Sequence, residues 1–196
     1  MEDVYKPGED SYLLQRYVEK LVSGRVLDMG TGSGIQAITA AEKNEVSHVL
    51  AVDVNPAALI LAEKRAMRAG VASRIDFLYS DLFENISGSY DWIIFNAPYL
   101  PSEGEIDEAS WTGGKTGGEI IKRFLKTAQD YLNKDGSILM IYSTHSSLNP
   151  DDFKGYHLDL LEETWIFFEK IHCVRLTHPN SDSEANKGST CERKIR

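Results

Sequence analysis

Arg25-Val-Leu-Asp28-Met-Gly30-Thr-Gly32-Ser-Gly34 is the stretch that decides the fold. A short, mostly apolar run over 25–29 opens onto glycines at every second position. A stretch rich in small residues, 33–43, follows and reads as a helix. Strand, glycine loop and helix in that order form the first half of a βαβ unit. The glycines let the backbone turn tightly and come close to a ligand, and the amides of the helix start face the same place. The spacing is Gly-x-Gly-x-Gly, not Gly-x-Gly-x-x-Gly, which leans away from NAD. Taken alone, the loop suits NAD, FAD or S-adenosylmethionine, or is only a tight turn.

Working outward, the same alternation continues. Apolar positions 13, 14, 17, 18 and 21 put a helix over 9–22. A strand over 47–52 ends in Asp53. Asn55 is placed to cap the next helix, Pro56 sits at its first position and Gly70 at its end. Strands follow over 74–79, ending in Ser80-Asp81, and over 90–95, ending in Asn96. An amphipathic helix over 118–132 is closed by Asn133-Lys-Asp-Gly136, and 137–142 is a strand. Pro150 to Lys154 suggests a helical turn or two. Alternation through Ile171 and Cys173 favours two final strands, 156–166 and 168–176, over a helix across 159–170. Strands alternating with helices predict an α/β domain: a mostly parallel sheet with helices on both faces, closed by an antiparallel hairpin. We expect one domain over 1–177, with 1–24 contributing to the site, and a polar tail over 178–196 without periodicity.

Bulk properties narrow the function. The 196 residues fit one ordinary domain, and no apolar run approaches a membrane span. The N-terminus lacks the basic and apolar regions of a signal peptide. Cys173 and Cys191 form neither a disulfide framework nor a zinc spacing, so a cytoplasmic setting is expected. The His residues are scattered and make no helical metal pair. Net charge is −9, and Lys/Arg cluster only in Glu192-Arg-Lys-Ile-Arg196, which counts against free nucleic acid as the main substrate.

The chemistry concentrates at strand ends. Asp53 can accept from both hydroxyls of a ribose, or can cap the following helix. Asp81 can accept from an adenine amine, with the Leu82 amide beside it, or can cap a short helix. Asp91-Trp-Ile-Ile-Phe-Asn96-Ala97-Pro98-Tyr99 runs a buried strand into a carboxamide, a backbone carbonyl and an aromatic ring. Such a strand end can grip a planar –NH2 group and aim its lone pair at an electrophile. Ligands of open α/β sheets bind outside the carboxyl ends of the strands, so these groups share one crevice. Trp111-Thr-Gly-Gly-Lys-Thr-Gly-Gly118 lacks the phosphate-loop spacing and reads as a substrate-contacting loop or as plain linker.

These residues resemble the class I methyltransferases that use S-adenosylmethionine. More narrowly, they resemble the HemK/PrmC-type protein glutamine methyltransferases, in the archaeal and eukaryotic release-factor branch. The resemblance covers roughly residues 3 to 176. Val4-Tyr-Lys-Pro-Gly-Glu-Asp-Ser-Tyr-Leu-Leu14 is similar to the branch's Tyr-x-Pro-x-Glu-Asp-Thr/Ser opening. Asp28 to Gly34, Asp53-Val54-Asn-Pro56 and Asp81-Leu82 are similar to its cofactor motifs. Asn96-Ala-Pro-Tyr99 is similar to Asn-Pro-Pro-Tyr, and Trp111 to Glu119 to its Trp-x-Gly-Gly-x-x-Gly-x-Glu stretch. Ala97 departs from the usual Pro but keeps the carbonyl, and the turn loses some rigidity.

The resemblance implies a seven-stranded Rossmann-like sheet of order 3-2-1-4-5-7-6. It implies cofactor contacts from Ser11, Asp28, Gly30, Gly32, Gly34, Asp53, Val54, Asp81, Leu82 and Asn96. Asn96, Ala97, Pro98 and Tyr99 would be the catalytic group. The implied reaction moves a methyl group to the glutamine amide of a Gly-Gly-Gln loop in a class I release factor. A small zinc-ribbon activator is implied on the edge strand 74–79, where Ile75, Phe77 and Tyr79 share one face and Leu78 lies on the other. Two readings compete with this one: methylation of an amino group on adenine or cytosine, or a non-catalytic cofactor-binding scaffold subunit.

Overall fold

The computed structural model describes residues 4–98 and 117–179. In chain order the elements are α1 (Glu9–Leu21), β1 (Gly24–Met29), α2 (Ile35–Glu42), β2 (Val46–Asp53), α3 (Pro56–Ala69), β3 (Ile75–Tyr79), β4 (Tyr90–Asn96), α4 (Glu119–Ala128), β5 (Leu132–Ser143), β6 (His157–Ile166) and β7 (Glu169–Thr177). They build one seven-stranded sheet in the order β3-β2-β1-β4-β5-β7-β6. All pairs are parallel except β5–β7 and β6–β7, which are antiparallel. This is the expected fold and strand order. Val26, Leu27, Val49, Val52, Ile93, Ile94, Ile138 and Leu139 are fully buried, the near-continuous apolar reading of strands covered on both faces.

Local chemistry sets the helix ends. The Asn55 side chain accepts from the Ala57 amide at 2.8 Å, Pro56 occupies the first turn and Gly70 ends α3 at φ 76°. Ala58, Ala62 and Ala66 give α3 a stripe of small buried residues, so it lies close to its neighbours. α4 buries Ile121, Phe124, Leu125 and Ala128 at helical spacing. The Phe124 ring packs 4.4 Å from that of Phe95, which anchors the end of β4 just before Asn96.

The expected helix over 118–132 stops at Ala128 and tightens into a 3-10 turn at Gln129–Tyr131. The Asn133-Lys-Asp-Gly136 stretch, read as a closing turn, lies inside β5, where the register with β4 shifts between Tyr90 and Trp92. The Asn133 amide donates to Asp91 at 2.6 Å, and a Cβ at Gly136 would meet the Tyr90 carbonyl at 2.9 Å. Cross-strand bonds thus hold as strand what the turn residues suggested was a break. The two final strands form as the alternation predicted.

At the sheet edge, Ile75 of β3 is buried, and Phe77 and Leu78 pack partly against the core. Of the four side chains expected to present this edge, Tyr79 alone is exposed (53%). No helix of the described residues is long and apolar enough to cross a membrane.

Candidate active site

The carboxyl ends of β1, β2 and β4 and the loop after β3 surround one cavity. Its lining includes Ser11, Asp28, Gly30, Gly32, Asp53, Val54, Asp81, Leu82, Asn96, Ala97 and Pro98. The sequence therefore predicted a set of residues that the fold brings together. Gly34 is the exception. It lies at φ 80° at the start of α2, and a Cβ there would come within 2.9 Å of the Ala62 Cβ. Its lack of a side chain serves the close packing of α2 on α3, and it does not line the cavity. Tyr99 and 111–116 lie outside the described residues.

Asp28 is buried at the end of β1. Its Oδ2 accepts from the Thr31 hydroxyl at 2.7 Å and from the Ala37 amide at 3.0 Å, which ties the loop to α2. Burial pushes its pKa up to about 7, against the pull of these two bonds, and the Asp53 charge adds to the rise. Asp53 pins the loop from the other side. Its Oδ2 accepts from the Gly32 amide and its Oδ1 from the Asn55 amide, both at 2.8 Å. Burial raises its pKa, and the Asn55, Gly32 and Val54 amides oppose that. Asn55 itself caps α3, so that helix does not need Asp53 as its cap.

After β3, Leu82 sits at φ 48°, a conformation that strains a branched side chain. The buried Ser80 holds it there: its hydroxyl donates to the Leu82 carbonyl at 2.9 Å and accepts from the Asn85 amide at 3.0 Å. Asp81 is half exposed and accepts from Arg123 of α4 at 2.9 Å.

Asn96 is held at the end of β4 by its –NH2 group. Its Nδ2 donates to Asp10 Oδ2 and to Ser11 Oγ, each at 3.1 Å. Asp10 Oδ1 accepts from the Tyr5 hydroxyl at 2.9 Å and from Ser11 Oγ at 3.3 Å. A carboxylate only accepts, so the –NH2 end of Asn96 must face Asp10, and its oxygen turns away. That oxygen is buried and has no partner. An orphaned buried acceptor costs on the order of 1–3 kcal/mol, which a donor on a ligand would recover. Gln36 repeats the pattern: its Nε2 donates to the Ser11 carbonyl at 2.8 Å and its Oε1 is buried and unpaired. Burial, then the Asp10 charge, raises the Tyr5 pKa.

Tyr5, Asp10, Gln36, Ser80 and Arg123 were not expected at the site. Tyr5 and Asp10 stand in the opening motif but carried no assigned role. Nothing in the sequence marks the other three.

A sheet of this order, with a glycine loop after β1 and carboxylates after β2 and β3, defines a class I methyltransferase. Residues 7–151 match the family model of the Methyltransferase small domain. A Methanocaldococcus jannaschii protein described as a protein N5-glutamine methyltransferase is 40% identical over 181 residues, 88% of this chain and 90% of the relative. Mouse methyltransferase HEMK2 is 32% identical over 164 residues, 76% of this chain and 75% of its own. Among solved structures, a chain of the E. cuniculi Mtq2–Trm112 complex, responsible for methylation of the eRF1 translation termination factor, matches with TM-score 0.64. It is 26% identical, over 89% of this chain and 98% of that one. The chain belongs to the HemK/PrmC-type protein glutamine methyltransferases.

Proposed function

We propose that this enzyme methylates the side-chain amide nitrogen of a glutamine in the Gly-Gly-Gln loop of a class I release factor, with S-adenosylmethionine as donor. The observation that carries this reading is the buried, unpartnered Oδ1 of Asn96, aimed by Asp10 and Ser11. The cavity also suits the donor. It is lined with acceptors (Asp53, Asp81 and the free oxygen of Gln36), and S-adenosylmethionine brings ribose hydroxyls, an adenine amine and two positive charges. Asp53 would take the ribose and Asp81 the adenine amine. Gly30, Gly32, Val54, Leu82 and Ser11 would complete the cradle.

When bound, the cofactor supplies an electrophilic methyl group on a sulfonium. The chain's own residues prepare the nucleophile. An amide nitrogen is weak because its lone pair is delocalised. Asn96 Oδ1 would accept one N–H and the Ala97 carbonyl the other, which fixes the amide plane and adds electron density at nitrogen. Pro98, and Tyr99 by its place in the motif, would pack on that plane. Held in this way, the nitrogen would take the methyl group in exchange for the sulfur to which it is bonded, and its surplus proton would leave to water. Positioning and electrostatics supply the rate.

We also propose that a small zinc-ribbon subunit pairs with the outer edge of β3. Among the described residues no strand pairs with that edge, and this and the exposed Tyr79 support it. The functional test is incubation with labelled S-adenosylmethionine and, separately, release factor, DNA and RNA. Label on the release-factor glutamine is expected. Label on nucleic acid, or on nothing, would overturn the reading.

A further inference from the structure

The hairpin between β6 and β7 ends in Trp165-Ile-Phe167-Phe168, and its loop is the two residues between the Ile166–Glu169 pair. Phe167 is 89% exposed, Phe168 92% and Trp165 67%. Phe167 also lies at φ 54°, at a loop position that Gly or Asn fills without strain. A sequence that holds a phenylalanine in the left-handed region, and leaves two phenyl rings in water, departs from its own folding preferences at that point. Such conflicts mark functional sites.

The tip is firmly mounted. The Ser143 hydroxyl donates to the Glu169 carboxylate, and the Lys170 amide donates to Thr144 Oγ1 at 3.3 Å. It also stands on the active-site side. Asn96 pairs with Ile141 and Ile141 with Cys173, so the start of the antiparallel β7, and the tip before it, lie past the carboxyl ends of β4 and β5. Glu169 is near enough to add to the charge acting on Tyr5. Two strand spacings of about 4.8 Å and five residues of about 3.3 Å put Phe168 on the order of 20 Å from Asn96.

We infer that this aromatic tip docks the body of the protein substrate, meeting an apolar surface on the same release factor whose glutamine enters the cavity. The inference rests on the substrate class proposed above. The separation bears on the occupant: two residues of peptide on either side of a glutamine reach about 7 Å, so a pentapeptide cannot touch both places, whereas a whole protein substrate can. A subunit paired with β3 would sit at the far side of the sheet, five strand positions or about 24 Å from β7, whereas the glutamine's protein enters between them at the cavity. Exposed aromatic rings on a rigid mount are the usual anchors of a protein interface.

The test is the double variant Phe167→Asn with Phe168→Ser, assayed against a full-length class I release factor and against a pentapeptide with the glutamine of Gly-Gly-Gln at its centre. The expected result is at least a tenfold rise in KM and in directly titrated Kd for the release factor. Pentapeptide turnover, S-adenosylmethionine affinity and melting temperature should be unchanged, or the last slightly raised. Equal loss on both substrates, or no loss on either, overturns the docking role. So does an effect traced to a wild-type dimer in sedimentation, or to wild-type flotation with phosphatidylcholine vesicles. A wild type that labels neither substrate removes the functional reading, and the docking role with it.

Discussion

Asp28 offers a sharp test of how the glycine loop is built, through Asp28→Asn. Both bonds to this carboxylate land on Oδ2, from the Thr31 hydroxyl and the Ala37 amide. An asparagine can keep both with its single oxygen, so the fold should survive. What changes is the charge. Burial raises the folded-state pKa from 3.8 to about 7, so the folded protein holds a proton that the unfolded chain releases near pH 4. A raised carboxyl pKa gives stability that is fully present below the unfolded value and falls as pH climbs toward the folded one. At about 1.4 kcal/mol per pH unit, the interval from pH 5.5 to pH 7 removes on the order of 2 kcal/mol from the wild type. The full interval up from pH 3.8 removes on the order of 4 kcal/mol. Asp28→Asn has no such slope. Urea unfolding of both proteins at pH 5.5, 6.5, 7.5 and 8.5 should show the variant gaining about 2 kcal/mol on the wild type between pH 5.5 and 7.5, then no more. A difference that stays constant within about 0.5 kcal/mol over this range would refute the dominance of burial over the two hydrogen bonds at this carboxylate.

Other outcomes follow from the same geometry. Asp53→Ala should weaken S-adenosylmethionine binding by about 1.5–3 kcal/mol in calorimetric titration, the scale of a hydrogen bond to a charged group. It also frees the Gly32 amide that Asp53 now holds, and an unchanged affinity in a folded variant would remove Asp53 from the ribose. Asn96→Ala should leave cofactor affinity nearly intact and lower turnover roughly 100-fold or more, because an aligned acceptor in a closed site is worth several kcal/mol. Near-normal single-turnover rates would exclude its role. Ala97→Pro should retain activity, and an inactive, folded Ala97→Pro enzyme would show that the strand-end motif is misaligned. Tyr79→Asp should disrupt a one-to-one complex with a co-expressed zinc-ribbon subunit. It is a cleaner probe than Phe77→Asp, since Phe77 packs partly against the core. A stable complex with Tyr79→Asp would place the partner elsewhere.

The fold was legible because its signals are local. Apolar runs such as Trp92 to Phe95, the Asn55-Pro56 start and the Gly70 stop each act within a few residues. Strand order was not local and came from the family resemblance. The misreading at Asn133-Lys-Asp-Gly136 has a physical source: turn-forming residues were overruled by pairing with Tyr90 and Asp91, a contact distant in sequence. Gly34 shows another limit. A glycine that admits a ligand and one that admits a neighbouring helix look identical in a motif, and only the Ala62 contact separates them. The Asp10–Asn96 bond joins residues 86 positions apart, so neither could announce the other.

That bond bears on what kind of catalyst this is. Asp10 takes three donated bonds, on Oδ1 from Tyr5 and Ser11 and on Oδ2 from Asn96, and in doing so fixes which way the Asn96 carboxamide faces. Among the described residues, the buried side-chain atoms without partners are Gln36 Oε1, Asn96 Oδ1 and Thr177 Oγ1, and the first two belong to residues lining the cavity. Both are amide oxygens, which are weak bases but directional acceptors. Acceptors of this kind orient an –NH2 group without needing to deprotonate it. That suits the proposed nucleophile, an amide nitrogen that attacks a methyl sulfonium while still carrying its protons.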